Sequence, residues 1–271
     1  MPTIFADAVF RHRLPYTLFA LILLGPLSFW NFEKSSGTGY TFADLNYYTM
    51  KLTCCLVLVT ILDTLCLPLV AQDKIKIPGV PKTASWVNKP VAVENHENGI
   101  LITAAKGTDQ YVALDGKYEA NNAPKLLFTP DKNFIFSAKI SLPFDSLYDG
   151  GAMILYTDAG NYAKLLFEKA EPTNIMVTSS VVTQKMGDDD YHTAIEGNVV
   201  YVKVSTQGKT IFFYYSLDGT KWNVIRTFAF KQRATMRLGF YAQSPLGPSC
   251  AVEFSDIHYS PKAFTNFATG D

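Results

Sequence analysis

The residues of this chain that could do chemistry fall on two stretches with a strand-like spacing. Tyr162, Lys164 and Glu168 are two and four positions apart, so an extended backbone would place all three on one face. Tyr241 and Gln243 are related in the same way. Sugars present apolar C–H faces and rings of hydroxyl groups, which suit tyrosine rings beside Lys, Glu and Gln side chains. The equally simple alternative is that these tyrosines only cover the edge of a β-structure.

Paired carboxylates would point to sugar hydrolysis rather than sugar binding. Retaining glycosidases hold two carboxyl groups about 5 to 5.5 Å apart, and a Glu-x-Asp-x-x-Glu strand is one arrangement that does so. This sequence has no such strand, and its nearest spacings are Glu168 with Glu171 and Glu253 with Asp256. Neither pair would project into one groove, so we expect solvated surface groups and predict no catalytic residue.

Metal chemistry has weak support in the sequence. The run Asp188–Asp190 could offer oxygens to calcium, which takes six to eight ligands, but three consecutive residues cannot all converge on one ion. We expect a mobile acidic loop, with a weak calcium site as the alternative. His96, His192 and His258 lack the spacing of metal ligands, so no metal and no other cofactor is predicted.

The elements that position these residues are predicted to be strands. Residues 199–230 contain three alternating apolar and polar runs, separated by turn signals at 206–209 and 217–220. The dipeptide Asp218-Gly219 suits the positive backbone dihedrals of a tight hairpin, and Trp222 is placed to clamp that turn. A β-meander is therefore expected near the C-terminal end.

Further alternation indicates that the whole domain is built from strands. Residues 134–141 and 236–243 alternate as strands with one buried face, and 152–168 form a hairpin around Asp158–Asn161. No stretch shows convincing helical periodicity, because Pro, Gly, Asn and Asp interrupt the apolar residues every 8 to 12 positions. An all-β sandwich or jelly roll is predicted.

Two apolar runs precede this domain, at residues 14–30 and 52–71. The second follows Met50-Lys51 and ends before a polar segment, as a secretory signal peptide does. We interpret 50–71 as a signal peptide and 1–49 as an over-extended N-terminus. The alternative is a two-span membrane anchor, but burying Asp63 in lipid would cost about 2.5 to 3.5 kcal/mol.

The remaining chain divides into a Pro/Lys/Gly-rich linker at 72–85, a sandwich domain at 86–262 and a tail at 263–271. Removal of 1–71 takes away four basic and four acidic residues and leaves 20 of each, so the mature chain is electroneutral. No basic run interleaved with aromatics occurs, which excludes nucleic acid as an expected partner. Cys250 is the one cysteine after residue 71, and its strand phase predicts a buried thiol.

Four segments carry a family resemblance, in order and in spacing. They are residues 150–168, 179–184, 199–226 and 236–257. This pattern resembles the domain of unknown function 1349 family, whose members are similar to the fungal regulation-of-enolase protein and to bacterial proteins associated with plant cell-wall sugar utilisation. The resemblance covers about residues 86–260.

The resemblance implies a concanavalin A-like jelly-roll β-sandwich of two antiparallel sheets, the architecture of many lectins and β-glucanases. It implies little chemistry, because the family has no settled activity. Residues 107–111 resemble the family's entry motif, which places Tyr111 at its aromatic position. In the acidic segment 186–192, the resemblance implies that Asp190 is a ligand contact.

The function that these observations favour is a secreted or periplasmic, non-catalytic carbohydrate-binding domain or an accessory to glycan utilisation, with an oligosaccharide as its ligand. One alternative is a glycan-active hydrolase whose carboxylates converge only in three dimensions. Another is a structural or protein-binding sandwich. A membrane is an expected partner only through the N-terminal segment, if that segment stays uncleaved.

The signal-peptide interpretation predicts a mature protein that begins near Gln72. Terminal sequencing of the secreted protein checks this expectation. An intact residue 1 recovered in the membrane fraction would favour the two-span anchor instead.

Overall fold

The computed structural model describes residues 74–231 and 234–271. The over-extended N-terminus and the signal peptide expected at 1–49 and 50–71 lie outside the described residues. Seventeen strands occur in the described part: β1 (Ile75–Lys76), β2 (Thr83–Val87), β3 (Ala92–His96), β4 (Gly99–Ala105), β5 (Gln110–Val112), β6 (Glu119–Asn121), β7 (Lys125–Phe128), β8 (Ile135–Ser141), β9 (Gly150–Asp158), β10 (Asn161–Lys169), β11 (Ile175–Thr183), β12 (Met186–Ala194), β13 (Val199–Gln207), β14 (Thr210–Ser216), β15 (Asn223–Ala229), β16 (Arg237–Gln243) and β17 (Ser249–Ser260).

These strands form two large antiparallel sheets and one small hairpin. The first sheet has the spatial order β1-β2-β7-β16-β9-β10-β11-β12, and the second has the order β15-β14-β13-β8-β17-β4-β3. Strands β5 and β6 pair only with each other. The predicted jelly-roll β-sandwich is confirmed. Across 74–231 and 234–271, no helix is long and apolar enough to span a membrane.

The main core lies between the two large sheets. Phe240 of the first sheet stacks on Phe254 of the second with ring centroids 4.4 Å apart, and it contacts Phe136 at 5.1 Å. All three rings are buried, and burial of each contributes about 1.5 to 3 kcal/mol. Cys250 is a buried free thiol beside this core, as its strand phase predicts.

The predicted meander is confirmed in strands β13, β14 and β15, which pair in sequence order. Gly219 has a φ of 74°, the left-handed conformation that the Asp-Gly turn needs. The carboxylate of Asp218 accepts hydrogen bonds from the backbone N–H groups of Lys221 and Thr220, which hold its pKa below the ordinary value. The hairpin of β9 and β10 around Asp158–Asn161 is confirmed as well.

Three expectations about exposure and boundaries are wrong. Residues 74–85 are not a linker, because β1 and β2 extend the first sheet there and Ile77 and Val80 join the core. The acidic run 188–190 is not a loop but part of the edge strand β12. Strand β16 is buried on both faces rather than one, because loops cover the outer side of the first sheet.

Residues 263–271 are likewise not a free tail. Phe264 is buried against Phe212 with ring centroids 4.6 Å apart, on the outer face of the second sheet. The ammonium of Lys203 donates to the carbonyl of Thr269 at 2.9 Å and lies 4.0 Å from the centre of the Trp222 ring. The segment therefore closes a second, smaller apolar cluster.

Replacing Phe264 by alanine should lower the free energy of unfolding by about 3 kcal/mol, because the ring is only 4 % exposed and its loss leaves a cavity. Phe267→Ala is the matched control, since Phe267 is 56 % exposed in the same segment. Chemical denaturation of both variants measures the difference. Equal losses of stability would contradict the docking of this segment.

Candidate functional site

The candidate site lies on the outer face of the first sheet, the face that points away from the second sheet. Along β9, Met153 and Leu155 face the main core, whereas Ala152, Ile154 and Tyr156 belong to a separate cluster on the outer side. This alternation follows from the two-residue period of a strand. Alternate residues of β9 to β12 therefore lie on the outer side of the sheet, and some of those on β10, β11 and β12 line the site.

The register of the strands sets rows of side chains across this face. Lys164 of β10 is opposite Ser180 of β11, which is opposite Asp189 of β12. In the next row, Thr178 of β11 is opposite Tyr191 of β12. Directly opposed residues have Cβ atoms about 4.5 to 5.5 Å apart, so each row brings its polar groups within reach of one ligand.

The loop before β5 and the β5–β6 hairpin cover these rows. The backbone N–H of Asp109 donates to Asn122 Oδ1 at 2.8 Å, and Asn122 Nδ2 donates to the carbonyl of Gly107 at 2.8 Å. An isolated bridge joins Thr108 to Ser244 at the end of β16. These bonds hold the covering segment at a fixed distance above the sheet.

A cavity of about 400 Å³ remains between the covering segment and the rows. Four tyrosines line it, namely Tyr111, Tyr118, Tyr148 and Tyr191. The acidic side chains at its wall are Asp109, Glu168, Asp189 and Asp190, and Lys164 is the basic one. We call this space the tyrosine cavity.

Lys164 joins the floor of the tyrosine cavity to its cover. Its ammonium donates to the backbone carbonyl of Gln110 at 2.8 Å and lies 5.6 Å from the centre of the Tyr111 ring. The side chain is 4 % exposed, so this hydrogen bond is needed to offset the loss of hydration. The expectation that Tyr162, Lys164 and Glu168 share one strand face holds, and Lys164 and Glu168 line the cavity.

Two carboxyl groups in the cavity wall are strongly desolvated. Glu168 is 8 % exposed and accepts a hydrogen bond from Thr178 Oγ1 at 2.8 Å on one of its oxygens. Burial raises the pKa of Glu168 above its ordinary value, and the nearby Lys164 ammonium only partly opposes that rise. Burial also raises the pKa of Asp109, again with Lys164 opposing.

The tyrosines of the cavity are held in defined positions. Burial and the neighbouring Asp189 carboxylate raise the pKa of Tyr111 to about 12, so its hydroxyl keeps its proton. Tyr148 has a φ of 67°, a left-handed conformation that costs a non-glycine residue about 1 to 2 kcal/mol. Its backbone N–H donates to the carbonyl of Lys169 at 2.9 Å, and its own carbonyl accepts from Gln243 Nε2 at 3.0 Å. Strain of this kind is typical of functional sites.

Tyr162, Tyr241 and Gln243 do not reach the cavity surface. Tyr162 and Tyr241 belong to the outer cluster of the first sheet, but both are fully buried beneath the covering segment. They cannot be exposed platforms for a sugar, and that part of the prediction is wrong. The Tyr241 hydroxyl donates to Gln243 Oε1 at 3.1 Å, and Gln243 holds Tyr148. Tyr241 and Gln243 therefore support the cavity wall from below.

The amide of Gln110 and the hydroxyl of Tyr162 are buried without a well-formed hydrogen bond. The two groups are close enough for Gln110 to oppose the effect of burial, which raises the pKa of Tyr162 well above its ordinary value. Buried polar groups without partners are uncommon in folded proteins. They lie beneath the covering segment next to Lys164 and Tyr111.

Asp190 borders the cavity, but its carboxylate has a different neighbour from that of Asp189. It lies 4.0 Å from Nδ1 of His192, and the preceding Asp188 on the same strand face pairs with Arg226. Asp189 and Tyr191 occupy the alternate positions, in the rows of Lys164 and Thr178. The residue that the resemblance suggested therefore lines the cavity beside Asp189, which lies in the row of Lys164.

Most of the remaining charged candidates have other partners. Asp256 pairs with Lys139 at 3.2 Å and Glu253 lies 3.7 Å from His96, both on the second sheet. Glu171 accepts a hydrogen bond from Asn174. In the part of the chain that the structure describes, no three His, Cys, Asp or Glu side chains are grouped as a metal site.

Sequence reasoning missed several residues of the cavity. Asp109, Tyr118 and Tyr148 lie on loops or on the covering hairpin, where no alternation indicates which way a side chain points. Asp189 and Tyr191 share a strand phase opposite to that of Asp188, but the sequence does not show which phase faces the site. Finding them required the register of β12 against β11.

Comparison with known proteins agrees with this fold. A functionally unknown protein from Saccharomyces cerevisiae matches with a TM-score of 0.60 and 20% identity, over 68% of this chain and 97% of its own. A GH43 glycoside hydrolase with an engineered active site matches with a TM-score of 0.50 and 12% identity, over 71% of this chain and 41% of its own. At these identities the likenesses show the fold alone.

No match was found among curated proteins. The sequence profile of one family, described as a protein of unknown function, matches residues 86–262. That range includes the covering hairpin, all four tyrosines of the cavity and the strands that carry its acidic side chains. The chain therefore belongs to the DUF1349 family.

Proposed function

We propose that this domain binds oligosaccharides in the tyrosine cavity without cleaving them. The observation that carries the proposal is the convergence of four tyrosine side chains on one space of about 400 Å³. That volume is within the range of about 300 to 1,000 Å³ typical of small-molecule sites. An extracytoplasmic location and a part in glycan utilisation belong to the same proposal.

The composition of the wall suits a sugar. Tyr118, Tyr148 and Tyr191 are exposed, so their rings offer apolar surface to the C–H face of a sugar ring. The side chains of Thr178, Ser180 and Asp189 lie in adjacent rows of the same face and can exchange hydrogen bonds with hydroxyl groups. Apolar faces and polar edges therefore occur in the combination that a saccharide presents.

Titration calorimetry of the purified mature chain against a panel of oligosaccharides tests this proposal. For any sugar that binds, Tyr191→Ala should weaken binding about tenfold, because the loss of one stacking ring costs roughly 1 to 1.5 kcal/mol. Tyr201→Ala is the matched control, since Tyr201 lies on β13 of the second sheet, where its hydroxyl donates to Asp256 Oδ2 at 3.3 Å. Absence of binding by every sugar, or equal loss in both variants, would contradict the proposal.

A glycan-active enzyme is the second candidate. It is favoured by Asp109 and Glu168, two carboxyl groups of one cavity whose pKa values burial raises. A carboxyl group whose pKa is raised holds its proton to a higher pH than an exposed one, and it can then act as a general acid towards a glycosidic oxygen. The two groups come from the loop before β5 and from β10, so no sequence motif could have paired them.

Incubation of the chain with oligosaccharides that it binds, followed by assay of reducing ends, separates the two candidates. A hydrolase should release reducing ends, and Glu168→Gln should abolish release while binding persists. Its rate should fall as pH rises through the raised pKa of Glu168, because the proton is then lost. If the chain binds oligosaccharides but releases no reducing ends at any pH, the carbohydrate-binding function stands and the hydrolase candidate is rejected.

A further inference from the structure

The charges in the wall of the tyrosine cavity are unbalanced. Four acidic side chains line it, and Lys164 is the basic side chain among the lining residues that the structure describes. The Lys164 ammonium already donates a hydrogen bond to the backbone carbonyl of Gln110 at 2.8 Å. An anionic ligand would therefore meet several carboxylates and one cation that is already hydrogen-bonded.

A further cation on the same face of the sheet does not change this balance. Lys125 lies on the same face of the first sheet, in register with Tyr241, but it is fully buried and does not line the cavity. Its ammonium donates to the carbonyl of Ala123 at 2.9 Å, and burial lowers its pKa to about 7. It is thus separated from a ligand and only partly charged at neutral pH.

The carboxylates of the cavity retain acceptor capacity. Glu168 uses Oε1 for Thr178, and Asp109 uses Oδ1 for the backbone N–H of Gln110. Within residues 74–231 and 234–271, the second oxygen of each group accepts no hydrogen bond. Asp189 faces the same space from β12. These oxygens are suited to a donor that brings its own positive charge.

The tyrosines favour the same kind of ligand. The face of an aromatic ring carries negative potential and attracts a cation within about 6 Å of its centre. Tyr111 already attracts the Lys164 ammonium from 5.6 Å. The other three tyrosines of the cavity, Tyr118, Tyr148 and Tyr191, have no such cation among the described residues.

We propose that the tyrosine cavity selects sugars that carry a free amine over neutral sugars, and selects both over uronic acids. The ammonium of an amino sugar would stabilise the ionised form of Glu168 and Asp109 and bind them together with Asp189, while its ring stacks on the exposed tyrosines. A uronate would place its carboxylate against the same groups. The selectivity rests on the proposed oligosaccharide-binding function.

Calorimetric titration of the mature chain with matched oligosaccharides tests the selectivity. The panel compares four forms of one β-1,4-linked oligomer: glucose, glucosamine, N-acetylated glucosamine and glucuronate. The corresponding xylose and galactose sugars are also included. The free amine should tighten binding at least tenfold over the matching hydroxyl, and acetylation, which removes the charge, should cancel that gain. Raising the salt concentration from 0.05 to 0.5 M should reduce the gain, because the added ions screen the charges.

Variants that replace a carboxylate by the neutral amide identify the residues that produce the preference for an amino sugar. Glu168→Gln and Asp189→Asn should each weaken binding of the amino sugar severalfold more than binding of the matched neutral sugar. Asp188→Asn is the matched control, because its carboxylate pairs with Arg226 rather than facing the cavity. An equal effect of Asp188→Asn would overturn the assignment to the cavity.

The outcomes separate this inference from the proposed function. Neutral sugars that bind as tightly as their amino counterparts, or uronates that bind more tightly, overturn the selectivity alone. If no sugar of any charge binds, the proposed function fails and the selectivity fails with it.

Discussion

The hydrogen bond from the Lys164 ammonium to the backbone carbonyl of Gln110 is the interaction on which the site depends. It spans the distance from the floor of the tyrosine cavity to its cover, from β10 to β5. Because the lysine side chain is almost completely buried, its charge requires a partner, and the covering hairpin provides one. The same constraint brings Asp109 and Tyr111, the neighbours of Gln110, over the rows of β10 to β12. The position of the cover is therefore tied to the charge of one buried side chain.

The antiparallel register of β10, β11 and β12 imposes the second constraint. A shift of one residue would turn Asp189 and Tyr191 away from the cavity and bring Asp188 towards it. The register is held because the alternate residues of β10, such as Leu165 and Phe167, are buried in the main core. The apolar side of each strand thus determines which polar residues can meet a ligand.

These constraints explain which features could be predicted from the sequence. Alternation is local, so the meander, the β9–β10 hairpin and the all-β class could be predicted correctly, as could the shared face of Lys164 and Glu168. Whether a distant segment of the chain buries a residue cannot be predicted from the local sequence. Tyr162 and Tyr241 occupy the outer face as their spacing implies, yet the covering segment buries them, and nothing in the strand sequences indicates that cover. The docking of Phe264 went unpredicted for the same reason.

Burial of polar groups in the site lowers the stability of the fold, and such a loss of stability is typical of functional sites. Glu168 and Asp109 are held where burial raises their pKa, and Tyr148 is held at a positive φ. On the outer face of the second sheet, residues 263–271 cover Phe212 and bind Lys203, beside a cavity of about 460 Å³ that Trp222 and His258 also line.

Amide chemical-shift mapping by NMR, on the purified chain titrated with an oligosaccharide, tests the central claim most directly. The account predicts shifts at Tyr111, Lys164, Thr178 and Tyr191, and none at Lys203 and Tyr214 on the outer face of the second sheet. Shifts confined to that second face, or no shift with any sugar, would contradict it.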